Sequence, residues 1–366
     1  MQQYTILTLQ GNHYTMGQQH GRQVGGLRPR IAAAIEARLG QIERDADARF
    51  EALFQETREL LQEIDTPLLA LIRGQAEALE FEFDTLLRYD LVTYLRDELV
   101  TRRPLAAEGC TTWAAAGSAT ADGQPILVKN RDNRLGHLSL PELLSRQVVI
   151  RATPDEGFRY VCVSSAGGPG VSVAGINQAG LSVADTHVMS TDLGPGLPDY
   201  ALMMHILEAH DSVSSAVGYL LSVPRLGRNN LILADARGHL AVFEIGHRGY
   251  GLVETGDGSL VNTNHFVSSE LRDCFVEINS SRTKGNSFHR YDKVTSELTA
   301  AFGKINVLFA QRLMATHDGP LASICRHPAA GNDVVTLSTS IFLPAQRAML
   351  FCHGLPCQVP YDKFTL

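Results

Sequence analysis

The 366-residue chain has no run of 18 or more apolar residues, so no spanning helix is expected. It also lacks a basic excess: 32 Lys+Arg against 39 Asp+Glu leave a net charge of −7. An acidic balance argues against a nucleic-acid or anionic-membrane partner, since either would favour a basic face. Cysteine is sparse. Cys110, Cys162, Cys274, Cys325, Cys352 and Cys357 form no dense framework, which points to a reduced, cytoplasmic setting. Met1-Gln2-Gln3-Tyr4 lacks the basic start and apolar stretch of a secretion signal, in line with that expectation. Cys352 and Cys357 flank His353, but no second ligand pair stands out, so ordinary strand cysteines and no metal are expected there. Lysine is missing altogether before Lys129. No internal repeat, low-complexity tract or long linker appears.

What is present is a 44% hydrophobic chain, long enough for one large core or two ordinary ones. Its composition changes near residue 109. Up to Gly109 there are 17 Asp+Glu against 12 Arg, so this third carries −5 of the −7. That part reads as helical after a short strand-like piece, Tyr4 to Leu9. Gly11, Tyr14, Gly17 and Gly21 punctuate a turn and a helix start. Thr66-Pro67 reads as a capping hydroxyl with proline at the first helical position. Leu68, Leu71, Ile72 and Leu79 recur at helical spacing, and another amphipathic helix begins near Phe83 and runs to Leu99.

From Cys110 the pattern turns to strands and turns. Cys110-Thr111-Thr112-Trp113 reads as a strand, Asp122-Gly123 as a hairpin turn, and Ile126-Leu127-Val128 as the returning strand. Strands are expected at 145–152, 158–164, 170–176, 181–186, 230–235 and 240–246. Helices are expected at 198–222, 286–301 and 304–315, and a closing strand pair at 334–343 and 346–353. The stretch Met189–Pro198 reads as a loop able to cover a pocket. This order suggests α+β, with helices covering stacked antiparallel sheets.

The most informative segment is Glu108-Gly109-Cys110-Thr111-Thr112-Trp113, followed by Lys129-Asn130-Arg131-Asp132. The Gly-Cys-Thr-Thr junction, the hairpin, and then Asn130 and Asp132 resemble the acyl-coenzyme A:isopenicillin N acyltransferase family. More distantly, the pattern is similar to choloylglycine hydrolases and acid-ceramidase-like amidases. Tyr14-Thr15-Met16-Gly17 with His20-Gly21-Arg22, Gly175-Ile176-Asn177 with Gly180-Leu181, Thr263-Asn264-His265-Phe266, and Ser287-Phe288-His289-Arg290-Tyr291 resemble further family elements in the expected order.

The resemblance implies a four-layer αββα sandwich of the N-terminal-nucleophile hydrolases. It implies a precursor cut between Gly109 and Cys110 into a helical segment 1–109 and a catalytic part 110–366, which stay associated. Such a cut would create an α-amine on the nucleophile itself. With a pKa near 8, that amine can take the thiol proton. A glycine at position 109 suits the step, because a side chain would crowd the junction.

By the resemblance, Asp132 holds the new amine, Asn264 donates to the tetrahedral oxyanion, and Arg290 sits beside the nucleophile, with Arg282 as the competing candidate. Lys129 stands where relatives carry arginine or glutamine. Ala184-Asp185-Thr186-His187 replaces a stretch where several relatives have an oxyanion asparagine. Thr186, His187 or backbone N–H groups are therefore the candidates for the second donor, and Lys129, Asn130, Thr186 and His187 are candidate substrate contacts. No organic cofactor or metal is needed, and the partner is a small N-acyl molecule. A homo-oligomer is left open. Acyl transfer to an amine is the alternative to hydrolysis, and an uncut binding homologue is a third reading. A papain-like Cys–His site would place the cysteine at a helix start. A Ser-His-Asp hydrolase would show Gly-x-Ser-x-Gly, which is absent. No helix is expected after Gly167-Gly168-Pro169-Gly170, which disfavours a nucleotide cradle.

Overall fold

The computed structural model describes residues 4–95, 109–135, 139–277, 284–328 and 333–366. Strand β1 (Thr5–Gly11) leads into helices α1 (His13–Gln23), α2 (Arg28–Glu43), α3 (Ala48–Ile64), α4 (Thr66–Leu79) and α5 (Phe83–Leu95). Then come β2 (Cys110–Ala116), β3 (Ile126–Arg134), the short α6 (Leu140–Leu144), β4 (Gln147–Pro154), β5 (Tyr160–Ser165), β6 (Ala174–Asn177) and β7 (Ser182–Thr186). Helices α7 (Asp199–Ala209) and α8 (Val213–Ser222) precede β8 (Asn230–Ala234), β9 (Leu240–Ile245), β10 (Tyr250–Thr255) and β11 (Gly258–Asn262). The chain continues through α9 (Asn286–Ala300), α10 (Val307–Met314), α11 (Gly319–Ala322), β12 (Val334–Leu343), β13 (Ala348–His353) and β14 (Asp362–Thr365).

Two sheets result. The eight-stranded sheet runs β1-β4-β5-β6-β7-β8-β9-β10, and the six-stranded sheet runs β11-β2-β3-β12-β13-β14. Period-2 alternation decides what each strand faces. Ala114, Ala116 and Leu127 of the smaller sheet meet Val149, Val163, Ile176 and Ile232 of the larger one between the layers. Trp113, Ala115 and Val128, one residue out of phase, pack under Val294, Leu298 and Leu313 of α9 and α10. The outer face of the larger sheet is covered by α1–α5, α7 and α8. The expected four-layer αββα sandwich is therefore the observed one.

Several local expectations change. The short strand expected from Tyr4 to Leu9 is present as β1, extends to Gly11 and pairs parallel with β4, from Thr5↔Val148 to Gly11↔Pro154, so it completes an edge of the larger sheet. Strands β10, β11 and β14 were not anticipated, because half-exposed strands such as Tyr250–Thr255 carry little apolar patterning. The helix expected at 198–222 is two helices, broken where Ser212 caps α8 through the Ser215 N–H. At α4 the cap is Asp65, whose side chain accepts from the Leu68 N–H, and Thr66 is already helical. The helix expected as far as Leu99 is described to Leu95, and its remainder lies outside the described residues. The Met189–Pro198 stretch is no lid. Backbone bridges pin Ser190 to Phe275, Leu193 to Gly227 and Leu197 to Arg225. Cys352 is buried in β13, directed at the Val359 carbonyl, whereas Cys357 lies exposed in the turn that follows.

Gly17, Gly21 and Gly74 have a packing role. A Cβ on Gly17 would overlap the Leu71 carbonyl, and one on Gly74 would overlap the Tyr14 carbonyl. Helices α1 and α4 thus touch backbone to backbone, which only glycine permits.

Candidate active site

Strands β2 and β3 pair antiparallel with Cys110 opposite Arg131 and Thr112 opposite Lys129. Cys110, Thr112, Lys129 and Arg131 thereby share the face turned toward the larger sheet, by the same alternation that sends Ala114 and Leu127 there. Cys110, Lys129, Arg131, Asp185, His187 and Asp199 border a cavity of about 240 Å3. Its far wall includes Ile31, Ala34 and Arg38 of α2 and Tyr89 of α5. The N-terminal helices are therefore part of the pocket.

Asp132 lies near the end of β3 opposite Thr336, next to a register shift between Thr336 and Ser338 on β12. Bulges of this kind re-aim side chains beside reactive sites. The Thr336 hydroxyl donates to Asp132 Oδ1 at 2.7 Å. Asp132 Oδ2 is buried and has no hydrogen-bond partner among the described residues. It lies 3.2 Å from where a Cβ on Gly109 would sit, so it faces the junction ahead of Cys110. The Asp132 N–H donates to the Gly109 carbonyl at 2.8 Å. A side chain at 109 would also overlap the Arg326 guanidinium. Gly109 is not among the left-handed glycines, so crowding by the Arg326 guanidinium and the Asp132 carboxylate, not backbone strain, favours glycine here.

Asn264 grips the same junction. Its Oδ1 accepts the Cys110 N–H at 2.8 Å and Arg290 Nη2 at 2.7 Å, and these two donors settle the amide's orientation. Its Nδ2 donates to the His187 carbonyl at 2.8 Å, which leaves one amide proton. Arg290, fully buried, donates Nη1 to the Cys110 carbonyl and to Thr111 Oγ1, and Nε to Asn286 Oδ1 at 2.9 Å. Burial and the neighbouring Arg326 pull its pKa down to about 10, so it stays charged at neutral pH. Thr263, Asn264, His265 and Ser287 are knitted together: Ser287 Oγ accepts the Asn264 N–H at 2.7 Å and lies 2.8 Å from His265 Nδ1. The two sequence elements at 263–266 and 287–291 thus form one support.

Electrostatics set the resting state. Burial pushes the Cys110 thiol up; Lys129 pulls it back, while Asp185 and Asp132 push it further. Burial likewise raises the Asp132 carboxyl, against Arg326, Arg290 and the Thr336 hydroxyl. Lys129 Nζ is buried against the Asp185 carboxylate and carbonyl. Burial opposes its charge, but Asp185 prevails and the ammonium is held above its ordinary value. Asp199 is pushed up to about 8 by burial, with the Asp185 charge adding and Arg228 opposing.

The structure brings Cys110, Asp132, Asn264 and Arg290 together around one peptide bond. Lys129 and His187 border the cavity. Asn130 and Thr186 do not. Asn130 projects to the helix-covered face, with Nδ2 donating to the Met314 and Ile324 carbonyls and Oδ1 accepting from Thr339. The Thr186 hydroxyl is spent on Asn262 and the Thr263 carbonyl. Arg282 lies outside the described residues. Sequence reasoning missed Arg326, Asp185 as the partner of Lys129, and Asp199. A lysine on a strand two positions before Arg131 was itself a signal, since a buried ammonium needs a counter-charge. Arg326, some two hundred residues from Asp132, left no local trace.

A family model described as acyl-coenzyme A:6-aminopenicillanic acid acyl-transferase matches residues 118–358, a span that begins beyond Cys110. An uncharacterized protein of Archaeoglobus fulgidus is 23% identical over 228 residues, covering 54% of this chain and 36% of that protein. The chain thus spans about a third of that relative's length. A mutant conjugated bile acid hydrolase from Clostridium perfringens is similar at a TM-score of 0.46 and 12% identity, over 70% of this chain and 97% of that one. Penicillin V acylase from Agrobacterium tumefaciens is similar at 0.43 and 15%, over 67% and 83%.

Proposed function

Since the chain belongs to the acyl-coenzyme A:6-aminopenicillanic acid acyl-transferase family, we propose that it is a self-processing amidohydrolase whose nucleophile is Cys110. The observation that carries this reading is Asp132 Oδ2, buried and aimed at the Gly109–Cys110 junction, with the Arg326 guanidinium 4.0 Å away but no hydrogen-bond donor among the described residues. A buried carboxylate oxygen without a donor is costly. An α-amine released at Cys110 would supply the missing donor.

In the proposed maturation, Cys110 Sγ attacks the Gly109 carbonyl carbon while the Asp132 N–H steadies the developing oxyanion. The carbon–nitrogen bond breaks, the nitrogen takes the thiol proton, and Gly109 is left as a thioester on Cys110. Water then releases the Gly109 carboxylate and a free thiol. The new amine is held by Asp132 Oδ2 and Asn264 Oδ1 and becomes the base for the thiol. Turnover repeats the chemistry on an external amide: thiolate attack, oxyanion stabilisation by the remaining Asn264 amide proton, loss of the amine, and hydrolysis of the thioester. Asp199, whose carboxyl is pushed up by burial and by the Asp185 charge, stands at the cavity wall where it can serve as a proton source.

Two of the lining arginines keep a buried nitrogen with no partner among the described residues, Arg131 Nη1 and Arg146 Nε. Both favour an N-acyl substrate that carries a carboxylate. Transfer to an amine shares the same thioester and is the alternative, favoured by the description of the matching family. The test is intact-mass analysis of fresh protein beside Cys110→Ala, followed by turnover of N-acyl amino acids with and without added amines. Wild type should split ahead of residue 110 and the variant should not. An uncut wild-type chain that still turns over substrate rules the reading out.

A further inference from the structure

Away from the cavity, four side chains from three separate stretches converge. His317 follows α10, Cys325 and His327 follow α11, and Cys357 lies in the turn after β13. One potential ligand atom from each falls within 4.8 Å of the others. Cys325 Sγ lies 3.7 Å from Cys357 Sγ and 3.7 Å from His327 Nε2. His327 Nε2 lies 3.3 Å from Cys357 Sγ. A tetrahedral zinc ion with bonds of about 2.3 Å to sulfur and about 2.0 Å to nitrogen places its ligand atoms roughly 3.3–3.8 Å apart. Both sulfur–nitrogen edges and the sulfur–sulfur edge fall in that range. The His317 ring centroid is 4.8 Å from that of His327, so the fourth corner needs only a small ring movement.

We propose that His317, Cys325, His327 and Cys357 bind a divalent ion of the zinc class. Two thiolates and two imidazoles are borderline-soft ligands that select zinc over calcium or magnesium. Four protein ligands leave no open position, so the role is structural rather than Lewis-acid catalysis. Cys325 is buried and anchors the site from within, while His317 and Cys357 are exposed and give the ion its way in.

The placement also says what such an ion would hold. Cys325 and His327 bracket Arg326, whose guanidinium lies 4.0 Å from Asp132 Oδ2 and would be overlapped by a side chain at Gly109. The Ile324 carbonyl, next along, receives Asn130 Nδ2 at 3.0 Å. The ion would clamp the Arg326 segment to the C-terminal turn, making Arg326 a positioning residue set by a metal outside the pocket.

Zinc is measured by mass spectrometry of the elements in reduced, full-length protein dialysed after exposure to zinc sulfate. The same is done for Cys357→Ser and His317→Ala, which alter exposed side chains. Cobalt substitution adds a second readout, because a tetrahedral site with two thiolates gives intense visible bands and a sulfur-to-metal charge-transfer band. About one zinc per chain in wild type, falling at least ~10-fold in Cys357→Ser with the cobalt bands lost, supports the site. Wild type holding less than ~0.1 zinc per chain overturns it, as does equal retention by both variants. A chain about 2 Da lighter on oxidation, with reduced protein that takes no metal, would mark a Cys325–Cys357 disulfide and overturn it as well.

Discussion

At the scale of single residues, the junction is built so that few side chains can change. Replacing Gly109 with alanine should slow self-cleavage at least ~10-fold, because the new methyl meets the Arg326 guanidinium, and a time course of fragment appearance on a denaturing gel would show it. Asn264→Ala removes the amide that accepts the Cys110 N–H and that, in the proposed reaction, donates to the oxyanion. In chain already cut, kcat should fall roughly 10²–10³-fold with little change in KM. If KM moves and kcat does not, Asn264 is a substrate contact. A third prediction concerns His20, which is buried and whose Nε2 accepts the Gly167 N–H at 2.9 Å. Burial lowers its pKa from 6.5 to about 4. Its folded-state value lies below its unfolded one, so between about pH 6.5 and 4 the unfolded chain binds the extra proton. Stability should be lost as pH falls through that window, by up to roughly 3 kcal/mol, and level off below it. Urea unfolding of wild type and His20→Gln at pH 7 and pH 5 would check this, the variant losing less.

At the scale of elements, the contact of α1 with α4 depends on what is absent from Gly17 and Gly74. Gly74→Ala places a methyl on the Tyr14 carbonyl, where backbone must move. Destabilisation of about 2–4 kcal/mol is expected, read as a lower urea midpoint at unchanged m. Helix α1, which Gly74 abuts, carries His20 against the loop at 166–168, and Ala166 and Gly168 line the cavity. Loosening α1 should therefore raise KM as well. The helical spacing of α4 and α9 was legible in the chain because each helix buries one regular face, and β2, β3 and β12 were legible as β-branched and apolar runs, β2 and β12 being buried on both faces. Half-exposed β10 and β11 were not, because their pairing with β9 and β2 rather than their own composition makes them strands.

At the scale of the molecule, a cut ahead of Cys110 should leave the fragments together. Strand β1 is hydrogen-bonded to β4, and one apolar core joins α1–α5 to the larger sheet and to α7 and α8. Fragments of self-cleaved protein should co-elute as one species in size-exclusion chromatography and separate only in denaturant. Early separation under native conditions would contradict the shared core.

The resemblance carried by the motifs nominated Cys110, Asp132, Asn264 and Arg290 and implied the layer order of the fold, while the order of elements gave α+β with helices over stacked antiparallel sheets. Local periodicity and short spacings are recorded in sequence, so strands, helices and a nucleophile after glycine can be read there. What the fold alone decided are meetings across great separations: Arg326 with Asp132, Lys129 with Asp185, and His317, Cys325 and His327 with Cys357. Asn130 sits between Lys129 and Arg131 in sequence yet turns away from the cavity, because successive strand residues point to opposite faces, whereas Thr186 faces the smaller sheet and is held there by Asn262 and Thr263. Which face is the reactive one is settled only when the second sheet closes over the first.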